Sequence, residues 1–282
     1  MSLLSLVVSL IWNSVMGRRS KKQKSDKLGY VLIGAVVLIL GSIGVFIAMN
    51  RTVEVDKLTM CRVDGNFDRQ IIVLDMTDNY NEIQVQQIKH IIESIVDHLA
   101  VREQLQLFFI DSTIPSKMKP ELLLCNPGDG AGKSEIYSNP KLFKKRWEKR
   151  FHEPLNEKMQ ELSGAYTSTT SPIIETIQAV NNIAIPYERE DGHHYKITII
   201  SDMIQNSQSL SFFKKRSSML THFVDSPSYV KTRTDLSGVD LDIVIVRRDK
   251  YEALQSRDYI DFWVELFSSM DANVENIKAT DG

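Results

Sequence analysis

Apolar residues are distributed along this chain in three kinds of run, and each predicts a different element. The longest, Leu28–Met49, holds 22 residues without a charge, enough for one helix to cross roughly 30 Å of hydrocarbon. Short, largely apolar runs recur downstream at Ile71–Leu74, Leu105–Ile110, Lys196–Ile200, Leu241–Val246 and Ala272–Ile277. They read as strands, most of them buried. Between them lie stretches with the three-and-four spacing of helices. Ile83, Ile88, Ile91, Ile92, Ile95, Val96 and Leu99 form the clearest stripe, and others cover residues 141–162, Ile173–Ile185, 208–222 and Tyr259–Met270. Strand alternating with helix predicts an α/β domain. Its sheet is expected to be doubly wound and mostly parallel, with helices on both faces and one transmembrane helix ahead of it.

Breakers between these runs set the boundaries. Residues 111–140 carry Pro115, Pro120, Pro127, Gly128, Gly130, Gly132 and Pro140 and read as an irregular insertion. Thr167–Ser168–Thr169–Thr170–Ser171–Pro172 is a hydroxyl-rich loop that ends in a proline placed to start the next helix. The chain therefore divides into an N-terminal segment, 1–27, the apolar span, 28–49, a linker, 50–65, and an α/β domain over 66–277. No internal repeat is present. In residues 141–162, Leu142, Phe143, Trp147, Phe151, Leu155 and Leu162 make the apolar side. Lys141, Lys144, Lys145, Arg146, Lys149 and Arg150 coat the other, as a solvated face or a contact for an acidic partner or anionic lipid.

Charge decides the orientation of the span. Arg18, Arg19, Lys21, Lys22, Lys24 and Lys27 precede it against a single Asp26, whereas Arg51, Lys57 and Arg62 follow it among Glu54, Asp56 and Asp64. The positive-inside rule puts the N-terminus in the cytoplasm and the domain outside it, as a single-pass protein of the cell membrane. In a Gram-negative bacterium that side is the periplasm. Residues 1–16 are apolar but too short to span; they read as an interfacial helix with Trp12 at headgroup depth, or as a partly ordered tail. A cleaved signal peptide is not expected, because the basic cluster follows this apolar run instead of preceding it. Gly34, Gly41 and Gly44 suit a membrane helix and permit self-association, although their spacing is not GxxxG. A formal net charge of -2 argues against a nucleic-acid partner. Cys61 and Cys125 are too few for a disulfide framework. They either pair, as an extracytoplasmic location would allow, or remain two free thiols.

The candidate chemistry lies where the first core run ends, in Asp75–Met76–Thr77–Asp78–Asn79. Carboxylate, hydroxyl and amide oxygens sit there within one turn, at the end of the sheet where α/β proteins bind ligands. Asp75-x-Thr77-x-Asn79, the Thr169–Thr170–Ser171–Pro172 loop and Asp202 after a middle strand occur in the order found in the von Willebrand factor A superfamily, which residues 66–277 resemble. The resemblance implies a metal-ion-dependent adhesion site. Asp75, Thr77, Asn79, Thr170 and Asp202 would hold Mg²⁺ or Mn²⁺, and an acidic group of a protein partner would complete the shell. It implies a binding or scaffold component of a membrane-associated complex, not an enzyme. Asn79 stands where that family has serine, Asp78 adds a carboxylate, and the loop threonine is not unique. A metal-free site, with Asp75 and Asp202 bonded to loop N–H groups, is the other reading.

The alternative function is a metal-dependent phosphoryl hydrolase with Asp75 as nucleophile. Such phosphatases need Asp-x-Asp, one carboxylate to attack and one for proton transfer, and Thr77 occupies the second position. Gly128–Ser134 approaches a P-loop but has Pro127 where the first glycine belongs. His193–His194 has no third ligand in view and reads as a loop feature.

Overall fold

Ile71 and Val73 of the first strand point to one face of a sheet, Ile72 and Leu74 to the other, and all four are almost inaccessible to solvent. A strand apolar on both faces requires cover on both, and the computed structural model supplies it. It describes residues 25–49, 54–65, 67–111, 117–131, 139–164, 166–189, 192–214 and 219–280. The interfacial helix expected in residues 1–16 lies outside these. The chain separates into two compact units, Met1–Val53 and Glu54–Gly282. In the first, α1 (Ser25–Met49) contains an 18-residue window, Gly29–Phe46, of mean hydropathy 2.4 with none of it buried. It is long and apolar enough to cross a membrane.

The second unit is the expected α/β domain. Its six strands are β1 (Arg69–Asp75), β2 (Gln104–Ile110), β3 (Leu122–Cys125), β4 (Tyr195–Ser201), β5 (Val239–Val246) and β6 (Asn273–Thr280), in spatial order β3-β2-β1-β4-β5-β6. All neighbours run parallel except β2 and β3. The order reverses at β1, which pairs with β2 on one side and with β4 on the other. Crevices form at such a switch point, outside the carboxyl ends of the strands.

Two cores fill the layers. On one face, Ile197, Ile199, Leu241 and Ile243 pack against α5 (Ile173–Ala184) and α8 (Arg257–Ser268), where Phe262, Trp263 and Phe267 supply most of the bulk. On the other, Ile72, Leu74, Leu105 and Leu107 meet α2 (Glu82–His98) through Ile88, Ile92 and Val96, and meet Phe151, Leu155 and Met159. Asn81 caps α2 in a reciprocal pair with Gln84, each side chain bonding the other's backbone N–H. Gln84 and Val85 are buried in place of Ile83, which is 58% exposed.

Four expectations need correction. The insertion at 111–140 contains β3. Only residues 111–121 separate it from β2, too few for the crossover a parallel strand requires, so the chain doubles back antiparallel. The helix expected over 141–162 is α3 (Pro140–Trp147) and α4 (Glu153–Gln160), joined by a wider π turn over Glu148–His152. Pro154 lacks an N–H and would press its ring on the preceding turn, and the π turn makes room for it. The turn also shifts the helical face, so Leu142 is exposed while Phe151, Leu155 and Met159 are buried. The six basic residues of α3 and the π turn are all exposed. In addition, residues 208–214 are not helical. Ser211 donates its hydroxyl to Asn206, and Ser209 N–H bonds the hydroxyl of Ser207, local bonds that compete with a helix. Residues 215–218 lie outside the description, and α6 (Met219–Val224) and α7 (Pro227–Thr232) follow.

Glu54–Gly65, expected to be part of a linker, folds as a tight reversal in which Val55 bridges Arg62. Asp56 holds it by accepting Leu58 N–H at 2.9 Å and Thr59 N–H at 2.7 Å. A Cys61–Cys125 disulfide, with Cα atoms 4.8 Å apart, and a Cys125 N–H bond to the Thr59 carbonyl fasten this reversal to β3.

Candidate functional site

The carboxyl ends of β1 and β4 lie side by side and deliver one buried carboxylate each. Asp75 closes β1 and is 3% exposed; Asp202 follows β4 and is 4% exposed. Asp75 is fully engaged. One oxygen accepts the Thr77 N–H at 3.0 Å and the Thr77 hydroxyl at 2.6 Å. The other accepts the hydroxyls of Ser201 at 2.5 Å and Ser171 at 3.4 Å. Asp202 differs. One oxygen takes the Ile204 N–H at 2.8 Å, while the other faces the Arg248 guanidinium, with Nε 3.5 Å away.

Burial dominates their acidity. Loss of hydration pushes Asp75 above the ordinary carboxylate range, against the pull of the Ser201 and Thr77 hydrogen bonds. Burial and then the Asp75 charge raise Asp202 to about 7, with Arg248 opposing. Two carboxylates forced together out of water set a demand for positive charge.

The surrounding loops are tied to one another. Ser168 N–H bonds the Thr77 carbonyl at 2.9 Å, and Ser171 exchanges two backbone bonds with Asn206. The start of α5 is capped from the loop after β4. Pro172 occupies the cap position and offers no side-chain bond, and the amide of Gln205 accepts the Ile174 N–H instead. The hydroxyl of Ser171, just before Pro172, points to Asp75. The Asp202–Met203 turn is braced from below. Gln255 Nε2 and the Tyr259 hydroxyl donate to the Asp202 carbonyl, and Trp263 Nε1 donates to that of Met203 at 3.0 Å.

A cavity of about 340 Å³ opens over this assembly, lined by Thr77, Asp78, Thr170, Ser171, Asp202 and Phe213 among others. Four of the five predicted ligand residues thus converge: Thr77, Thr170 and Asp202 line it, with Asp75 beneath. Asn79 does not join them. Its side-chain oxygen accepts the Tyr166 N–H and its carbonyl accepts Arg248. It lines a neighbouring cavity of about 310 Å³ with Gln84, Arg247 and Arg248. His193 and His194 turn towards Asp68 instead.

Sequence reasoning missed Ser171, Ser201 and Arg248 as site residues. Serines near strand ends are common and carry no distinctive spacing. Arg248 had a usable signal: it lies two residues past the carboxyl end of a parallel strand, beside the switch point.

The cavity presents oxygen donors, with Lys250 also on its wall. Thr77 commits its hydroxyl proton to Asp75, which leaves oxygen lone pairs for another partner. Thr170 and Asp202 add oxygens to the same cavity. Among the described residues no group of three or more His, Cys, Asp or Glu is placed to hold a metal. Any cation held here would be met by hydroxyls, a carboxylate and water, a mixture Mg²⁺ tolerates and a soft metal does not.

Fold and site together define an open α/β domain with a carboxylate- and hydroxyl-lined cleft at the ends of its central strands. No protein-family model and no curated protein sequence matches the chain. Solved structures similar to it include the conserved hypothetical protein BatB from Bacteroides thetaiotaomicron, at 13% identity and a TM-score of 0.35, covering 76% of this chain and 91% of that one. An aerotolerance-related membrane protein from Bacteroides fragilis is similar at 13% identity and a TM-score of 0.33, covering 76% and 92%. Proximal thread matrix protein 1 from the mussel byssus, solved with a zinc-occupied MIDAS motif, is similar at 12% identity and a TM-score of 0.34, covering 73% and 47%.

Proposed function

We propose that this chain is a membrane-anchored, von Willebrand A-like binding module that serves as a scaffold in a membrane-associated complex. The observation that carries the reading is the convergence of Asp75, Thr77, Thr170 and Asp202 at the switch point, under a cavity open to a partner. Mg²⁺ or Mn²⁺ held by Thr77, Thr170 and Asp202 would supply positive charge for an acidic side chain of a protein partner. Asp75 supports the hydroxyls from beneath. Its two oxygens each accept hydrogen bonds and its side chain is buried, which supports a positioning role over a nucleophilic one.

Calorimetry of the detergent-solubilised full chain tests this. A ligand that binds the native state raises the unfolding temperature as its concentration exceeds Kd. Mg²⁺ or Mn²⁺ is expected to raise it at pH 8 and to lose effect below about pH 6, because protons and cation compete for Asp202. The same protein is expected to hydrolyse no aryl phosphate above background. An equal shift in an Asp75→Ala/Asp202→Ala double variant would overturn the metal site, and Asp75-dependent turnover would overturn the non-enzymatic reading.

The charge asymmetry around α1 supports a cytoplasmic N-terminus and an extracytoplasmic domain. A reporter active only in the cytoplasm, fused after Gly282, is expected to be silent. Strong signal would reverse the orientation.

A further inference from the structure

Arg248 is held too firmly for a surface arginine that happens to pass an acid. Its backbone N–H bonds the Gln255 side-chain oxygen at 2.9 Å, and the same amide's nitrogen holds the Asp202 carbonyl at 3.1 Å. Its guanidinium lies 4.9 Å over the Tyr80 ring, and Nη1 donates to the Asn79 carbonyl. Tyr80 in turn donates its hydroxyl to the Asp75 carbonyl. The side chain is 13% exposed, and Nε is buried without a hydrogen-bond partner. At 3.5 Å from Asp202 that nitrogen is beyond a good hydrogen bond, so the pair is joined by charge rather than by directed bonding.

We propose that Arg248 is the resident cation of the Asp75–Asp202 pair and competes with a divalent cation for it. A guanidinium is charged at every accessible pH, and it offsets the two buried carboxylates when nothing else does. A divalent cation on Asp202 would stand within a few ångströms of that charge. It must displace Arg248 or bind against it. Tyr80, Asn79 and Gln255 fix the arginine where displacement is opposed. The native site is thus tuned to weak cation affinity, and its empty form is stable. This inference rests on the reading of the cleft as a cation site.

The test is calorimetric titration of the full-length chain in detergent with Mg²⁺ and with Mn²⁺, for the native protein, Arg248→Gln and Arg248→Lys. Unfolding of each in chelator establishes that the variants are folded. Arg248→Gln is expected to bind about tenfold more tightly, and Arg248→Lys, which restores the charge, is expected to return towards the native affinity. Equal or weaker binding by a folded Arg248→Gln protein overturns the competition while leaving the cation site intact. No binding by any of the three overturns the cation site and the competition together.

Discussion

Reducing the Cys61–Cys125 bridge is expected to lower the unfolding free energy of the domain by about 4 kcal/mol. The two cysteines are 64 residues apart, and opening a loop of that length returns roughly this much chain entropy to the denatured state. The loss should have a definite location. β3 contributes four residues to the sheet and, among the described residues, pairs with β2 alone, so the bridge and the Thr59 carbonyl reinforce a short ladder at this edge. Denaturant melts of the full chain with and without reductant measure the difference, and a Cys61→Ser/Cys125→Ser variant should match the reduced protein. Complete alkylation of the purified native protein before reduction would show free thiols and sink the prediction.

Replacing Trp263 by alanine is expected to cost about 3–5 kcal/mol, the range for a large buried aromatic. Trp263 is 1% exposed, stacks on Phe267 with ring centres 5.4 Å apart, and meets Phe262 edge-on at the same distance. Its consequence for the site sets it apart from other core positions. Met203 adopts φ +57°, a left-handed conformation costly for a residue with a side chain, and its carbonyl is bonded by Trp263. Removing the indole leaves that carbonyl, beside Asp202, with the Gln205 N–H at 3.1 Å. Trp263→Phe keeps most of the packing and loses the N–H, so it should cost less stability yet still loosen the turn. Denaturant melts of the two variants, combined with Mn²⁺ titration, separate these effects. Unchanged cation affinity in both would show that the turn does not depend on the indole N–H.

Much of the frame was legible because its signals are strong and local. Four apolar residues followed by Asp75, then a stripe at helical spacing, specify β1 and α2 without reference to the rest of the chain. β3 was not legible. Leu122–Leu123–Leu124–Cys125 has no β-branched residue, is only four residues long, and sits among prolines and glycines. The π turn was hidden for a different reason: Pro154 announces a disturbance in a helix, but not whether the helix ends or widens. At the site, the carboxylates could be found from their positions after apolar strands. Their partners could not, since the hydroxyls of Ser171 and Ser201 meet Asp75 only through sheet order. The cysteines were legible as a choice between bridge and free thiols; the 4.8 Å Cα separation decides it.

The pairing of β1 with β4 also bears on how the domain comes into being. Asp75 and the Ser201 that bonds it are 126 residues apart, whereas the partner on the other side, β2, follows directly after α2. Closing the long connection costs about 1 kcal/mol more chain entropy than closing the short one, and its cost falls due before β4 returns any contact. The central strand therefore gains its neighbours at different times. Asp75 enters a low-polarity environment from one side first and meets its serine donors only when the second half of the sheet arrives. Until then the chain carries a half-paired strand edge ending in a carboxylate, and that charge disfavours association through the open edge with another copy of itself.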